Sequence, residues 1–163
     1  MPAERGFSSA QNDLGEMYCY GQGVSQDYSE AFKWYHKSAD QGNAAAQNNL
    51  GDLYYNGQGV SQDYSRAMAW YLKSAEQGQA AAQNNLGFMF KNGLGVKQNN
   101  SEAMKWYKMS AEQGFAGAQY MLGIMYEGGL GVTKNSDEAA KWYQKAADQG
   151  LADAKESLRK LRG

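Results

Sequence analysis

The chain has 163 residues, of which 42% are apolar and 20% charged, with four Trp, twelve Tyr and five Phe and a formal net charge of −1. So many aromatic residues exclude a disordered chain, and a charge near zero gives no general attraction to nucleic acid or anionic lipid. One cysteine and one histidine exclude a disulfide framework and a cysteine- or histidine-rich metal site.

The apolar runs fall far short of the roughly 20 residues that cross a bilayer, so no membrane insertion is expected. The start, MPAERGFSSAQ, lacks the apolar segment of a signal peptide. This fits a cytoplasmic protein, or an exported one whose leader has been removed. Basic residues are sparser in the first half: residues 1–81 hold five Lys/Arg and nine Asp/Glu, and 82–163 hold eleven and eight.

Leu14-Gly15, Leu50-Gly51, Leu86-Gly87 and Leu122-Gly123 recur every 36 residues, as do Trp34-Tyr35, Trp70-Tyr71, Trp106-Tyr107 and Trp142-Tyr143. A fixed period of this length is the signature of a stacked repeat. Within each copy, apolar residues recur three and four apart, which is helical and not strand spacing. The spacing predicts helices A and B over about 8–20 and 28–41, 44–56 and 64–77, 80–92 and 100–113, and 116–128 and 136–149. These pairs make up repeats 8–43, 44–79, 80–115 and 116–151 of a single domain, 1–163.

The A-to-B turns, such as NGQGVSQD at 56–63, place a glycine where a helix ends in left-handed backbone. A second glycine frees the turn, and Val24, Val60, Val96 and Val132 tuck back as plugs. Asp27, Asp63, Asn99 and Asn135 stand ready to cap helix B, with Glu30, Glu102 and Glu138 three places on as a reciprocal capping pair. Arg66 breaks that pattern, so the second copy is expected to have a weaker helix start. Gly15, Gly51, Gly87 and Gly123 interrupt helices at about 1 kcal/mol each relative to Ala, which predicts close approach of helix B of the same repeat. The even placement of the four tryptophans between alanines predicts core packing. Residues 152–162 read as a capping helix in which Arg159 replaces the expected glycine.

The copies AQNDLGEMYCYGQGVSQDYSEAFKWYHKSADQG, AQNNLGDLYYNGQGVSQDYSRAMAWYLKSAEQG, AQNNLGFMFKNGLGVKQNNSEAMKWYKMSAEQG and AQYMLGIMYEGGLGVTKNSDEAAKWYQKAADQG resemble Sel1-like repeats, a branch of the tetratricopeptide-like helical solenoids. The resemblance covers about residues 8–151. It implies an all-α fold, a right-handed α/α solenoid of four antiparallel helix pairs plus the capping helix. It also implies adaptor or scaffold roles with a protein or extended peptide as partner. Some exported members pair cysteines within each repeat and have been linked to β-lactam binding. A chain with Cys19 alone departs from that branch.

No Ser/His/Asp or Cys/His arrangement shares an obvious site, and neither catalytic residue nor cofactor is expected. His36 reads as an exposed helix residue able to pair with Asp40. Cys19, replaced by Tyr55, Lys91 and Glu127 in later copies, reads as a tolerated surface or half-buried residue. By analogy with the solenoids, the A helices should line a concave face. Its candidate partner-binding residues are Asn12, Asn48, Asn49, Asp52, Tyr55, Asn84, Asn85, Phe88, Tyr120 and Ile124. The Asn residues and carboxylates would grip an extended backbone, and Phe88, Tyr120 and Ile124 would anchor it. The Asn row has a second reading, hydrogen bonding between repeats, and the capping helix has one too, burial of Tyr120 and Ile124. A structural segment supporting a larger assembly, or a cell-wall or β-lactam-related activity, are the alternatives.

Overall fold

The computed structural model describes residues 2–163, with side chains from Phe7 onward. Nine α-helices are present among the described residues: α1 (Pro2–Tyr20), α2 (Tyr28–Asp40), α3 (Ala44–Asn56), α4 (Tyr64–Glu76), α5 (Ala80–Asn92), α6 (Asn100–Glu112), α7 (Ala116–Gly128), α8 (Ser136–Asp148) and α9 (Ala152–Arg162). The fold is an all-α solenoid of antiparallel helix pairs closed by a short helix. The first helix runs back to Pro2, further than the periodicity required. The chain divides into two compact units, the first ending at Ala82 and the second comprising Gln83–Gly163.

In the first unit each helix pair closes on a glycine and a tyrosine. A Cβ on Gly15 would lie 2.4 Å from the ring of Tyr35, and one on Gly51 would lie 2.6 Å from Tyr71. Both rings are almost wholly buried, at 1% and 2% exposure. The interrupting glycine therefore admits the ring of its own repeat's second helix. Trp34 and Trp70, by contrast, are only half-buried. Lys37 lies 4.4 Å over Trp34 and Lys73 lies 3.9 Å over Trp70, so each ring presents one face to a cation at the surface. The tyrosine takes the central place expected of the tryptophan.

Buried polar side chains join the helices. Ser38 Oγ donates to the carbonyl of Ser8 and Ser74 Oγ to that of Ala44, each at 2.6 Å. Gln41 donates to Gln11 at 2.6 Å, Gln77 to Gln47 at 2.8 Å, and Gln47 in turn to the carbonyl of Ala39. The second turn glycine also has a packing role. At φ +69°, a Cβ on Gly59 would lie 2.3 Å from the carbonyl oxygen of Tyr28, at the start of the preceding repeat's second helix.

The second unit repeats the scheme. Tyr107 and Tyr143 fill the spaces over Gly87 and Gly123, Gln113 donates to Gln83 and Gln149 to Gln119, and Lys145 covers the half-buried Trp142. The last helix, α9, buries Ala154 and Leu158 and leaves Arg159 exposed and paired with Glu156.

The reciprocal capping pair is not formed. Asp27 and Asn99 each accept from two helix amides, and Asp63 and Asn135 from one each. The cap residue's own amide donates to the first helix of its repeat: Asp27 to Tyr18, Asp63 to Tyr54, Asn99 to Phe90 and Asn135 to Tyr126. With that donor used, Glu30, Glu102 and Glu138 turn outward to Lys33, Lys105 and Lys141 at 2.5 Å. Arg66 instead pairs with its own cap, Asp63, at 3.3 Å.

Candidate functional site

The candidate residues lie on the odd-numbered helices, and the two units arrange them differently. In the first unit they form two hydrogen-bonded groups. Asn49 donates to Asn12 at 3.1 Å and Asn12 to Glu16 at 2.9 Å, which ties α3 to α1. Asn48 donates to Oδ2 of Asp52 at 3.2 Å, and the Tyr71 hydroxyl donates to Oδ1 at 2.6 Å. Asn12 and Asn48 are buried, so they brace the helices from within. Burial pushes the Asp52 carboxyl above its ordinary value, outweighing the two hydrogen bonds that lower it. Tyr55 lies with its ring 5.2 Å from that of Tyr64.

Next to these groups is a pocket of about 230 Å³ whose walls include Cys19 and Tyr20 from α1, Tyr28 and Tyr35 from α2, and Asn49 and Asp52 from α3. Burial pushes the Cys19 thiol up, against the lowering effect of its hydrogen bond with Tyr35, while the nearby carboxylates of Asp52 and Glu16 push it further up. The shift disfavours the thiolate, which is the reactive form of a cysteine. Periodicity treated Cys19 as incidental. The available signal was its size, because the tyrosine at the same place in the next copy fills the space against Tyr64.

In the second unit the hydrogen-bonded groups are broken. Phe88 occupies the place of Asp52, and the Tyr107 hydroxyl, in a side chain with no exposed surface, has no hydrogen-bond partner. Met121 occupies the place of Asn49, and the buried Oδ1 of Asn84 likewise has no donor. Asn84 and Asn85 are half-buried, and Phe88 is 41% exposed. Tyr120 and Ile124 are half-buried against the cluster of Ala139, Tyr143 and Leu158, and the Tyr120 ring lies 5.7 Å from that of Tyr143. The closing helix thus covers part of both, and of the three apolar candidates Phe88 is the exposed one. The Tyr143 hydroxyl finds its acceptor in Glu127 at 2.6 Å.

His36 pairs with Asp40 at 2.9 Å and packs its ring against Phe32 and Trp70. Among the described residues, no group of three or more His, Cys, Asp or Glu could hold a metal ion, and no helix is long and apolar enough to cross a membrane.

Comparison with known proteins places this arrangement. The Sel1 repeat model matches residues 8–43, 44–79, 80–115 and 116–151. No curated protein matches the chain. Among solved structures, the chain is 40% identical to a protective antigen of uropathogenic Escherichia coli strains displaying an SLR fold, with a TM-score of 0.87. That match covers 93% of this chain and 32% of the antigen. A Sel1 repeat protein from Oxalobacter formigenes is 37% identical with a TM-score of 0.88, over 97% of this chain and 63% of that one. Helicobacter pylori cysteine rich protein B shares the fold at 24% identity and a TM-score of 0.64, over 82% of this chain and 96% of its own. The chain therefore spans about a third of the first relative and under two thirds of the second. Folds of this type generally mediate protein–protein interactions. With four matched repeats over nearly its whole length, the chain belongs to the Sel1 repeat family.

Proposed function

We propose that the chain is a non-enzymatic interaction module that binds a protein or extended peptide on the face presented by its odd-numbered helices. The observation that carries this reading is Phe88. A large apolar side chain stands 41% exposed where the preceding copy has a carboxylate, and two buried polar atoms, Tyr107 Oη and Asn84 Oδ1, are left without partners in the same repeat. A buried unpaired polar group costs about 1–3 kcal/mol. The folded chain gains little from an exposed Phe, so the arrangement serves contact with another molecule better than it serves stability. Phe88 acts as the anchor, with the uncovered parts of Tyr120 and Ile124 as neighbours in the second unit.

The test is unbiased capture of partners by the native chain, by Phe88→Ser and by Ile124→Ser, each with its helicity checked. Loss of the same partners from both variants supports the reading, and an unchanged partner set overturns it. A second reading is favoured by the chain's 32% coverage of the E. coli antigen: a repeat segment that supports a larger assembly whose activity lies elsewhere. In that case the two substitutions leave capture unaltered.

A further inference from the structure

We infer that the pocket bounded by Cys19, Tyr35 and Asp52 is a recognition site for one basic side chain, arginine or lysine, of a peptide lying on the odd-helix face. The inference rests on the reading above and adds to it the chemistry of one subsite.

Size is the first argument. At about 230 Å³ the pocket falls below the ~300–1,000 Å³ of sites that enclose drug-sized ligands, and it suits a single side chain. The space exists because a thiol stands at position 19. In the following repeat the same place is taken by Tyr55, whose ring closes on Tyr64, the counterpart of Tyr28. Gln26 donates to the Tyr28 hydroxyl at 3.1 Å and to the Cys19 carbonyl at 2.7 Å, and so holds that wall in place.

Charge is the second argument. The lining contains one carboxylate, Asp52, and neither Lys, Arg nor His. Glu16, on the same helix as Cys19, adds to the negative field there, and it raises the Tyr20 hydroxyl as well as the thiol. Asp52 accepts from two neutral donors, Tyr71 and Asn48. Partial removal from water strengthens its attraction for a cation entering the pocket. The phenol rings of Tyr20 and Tyr28 are suited to a guanidinium or ammonium, and Tyr20, 66% exposed, forms an accessible rim.

The test uses the end-blocked peptide Ser-Gly-Arg-Gly-Ser and its citrulline counterpart, titrated into isotope-labelled protein and followed by NMR. Citrulline keeps the shape of arginine and removes its charge. The expected result is at least tenfold tighter binding of the arginine peptide, with shifts centred on the side-chain amides of Asn49 and Asn56. Asp52→Asn, which keeps an acceptor for Tyr71, should erase the preference, and Cys19→Tyr should block binding by filling the space. Equal affinity for the two peptides on the native protein overturns the inference without any variant. A preference that survives Asp52→Asn, or binding unaffected by Cys19→Tyr, overturns it as well. The Phe88→Ser capture experiment reads the other unit, so partner loss there combined with indifference to arginine here would reject the subsite and keep the interaction module.

Discussion

The Tyr71 hydroxyl donates to Asp52 across 2.6 Å, whereas the Tyr107 hydroxyl, one repeat later, is buried and donates to nothing because Phe88 stands where the carboxylate would be. Two tyrosines with the same backbone role therefore carry opposite energetic signs. Tyr71→Phe should lower stability by about 1–2 kcal/mol, the range of one hydrogen bond to a charged acceptor in a half-buried place. Tyr107→Phe should be neutral or stabilising, since it deletes an unsatisfied hydroxyl and keeps the ring over Gly87. Urea unfolding of both variants checks the contrast, and similar losses would show that Tyr107 has a partner in solution.

Gly51→Ala sets two effects against each other. Alanine improves helix propensity by about 1 kcal/mol, but its Cβ would sit 2.6 Å from the Tyr71 ring, which is only 2% exposed and has no room to retreat. Overpacking of this kind costs about 1–3 kcal/mol. The clash should win, giving a lower unfolding midpoint. Introducing Tyr71→Ala as well should make the alanine at position 51 harmless or favourable.

Acidity offers a separate handle on Asp52. Its carboxyl is raised above the ordinary 3.8, first by burial. An acid raised on folding holds its proton more tightly in the native state. Its stabilising contribution is therefore complete below about pH 3.8 and is lost as pH climbs through the higher native value. Asp52→Asn should thus be at least as stable as the native chain at pH 7. The difference between the two should shrink as the pH is lowered towards 3.8. Paired denaturation curves across that window isolate the effect from the other carboxylates.

Ser38→Ala removes the bond from Ser38 Oγ to the Ser8 carbonyl, 2.6 Å long and fully buried. The loss should be about 0.5–1.5 kcal/mol, because the carbonyl belongs to a helix and loses a second donor, not its only one. Ser74→Ala should give a similar value, and guanidinium titration measures both.

Much of the fold was legible because the repeat couples residues that touch. Leu-Gly and Trp-Tyr return every 36 positions, and the glycine of the first pair meets the tyrosine of the second. Local chemistry proved more ambiguous. Glu30 is three residues from a cap and also three from Lys33, and the cap amide is already taken by Tyr18, which no local pattern displays. Tryptophan looked central because it returns between alanines, yet Trp34, Trp70 and Trp142 each carry a lysine over one face. The glutamine pairs, 30 residues apart, follow no helical period and were invisible until the helices were packed. In the candidate site the row of Asn residues could be seen, but their depth could not. Asn12 and Asn48 lie inside because their amides bridge neighbouring turns and helices, and Phe88 lies outside.

The glutamine joins have an implication for how such a chain can lengthen or shorten. Gln41, Gln77, Gln113 and Gln149 each reach back 30 positions to a glutamine of the same repeat. Duplicating or excising one 36-residue block in register leaves every such clasp with its proper mate. A block of any other length would put a glutamine out of step with its mate at the splice. Copy number is therefore free to vary during gene rearrangement only in whole steps, while single substitutions such as those at positions 19 and 88 give each copy its own surface.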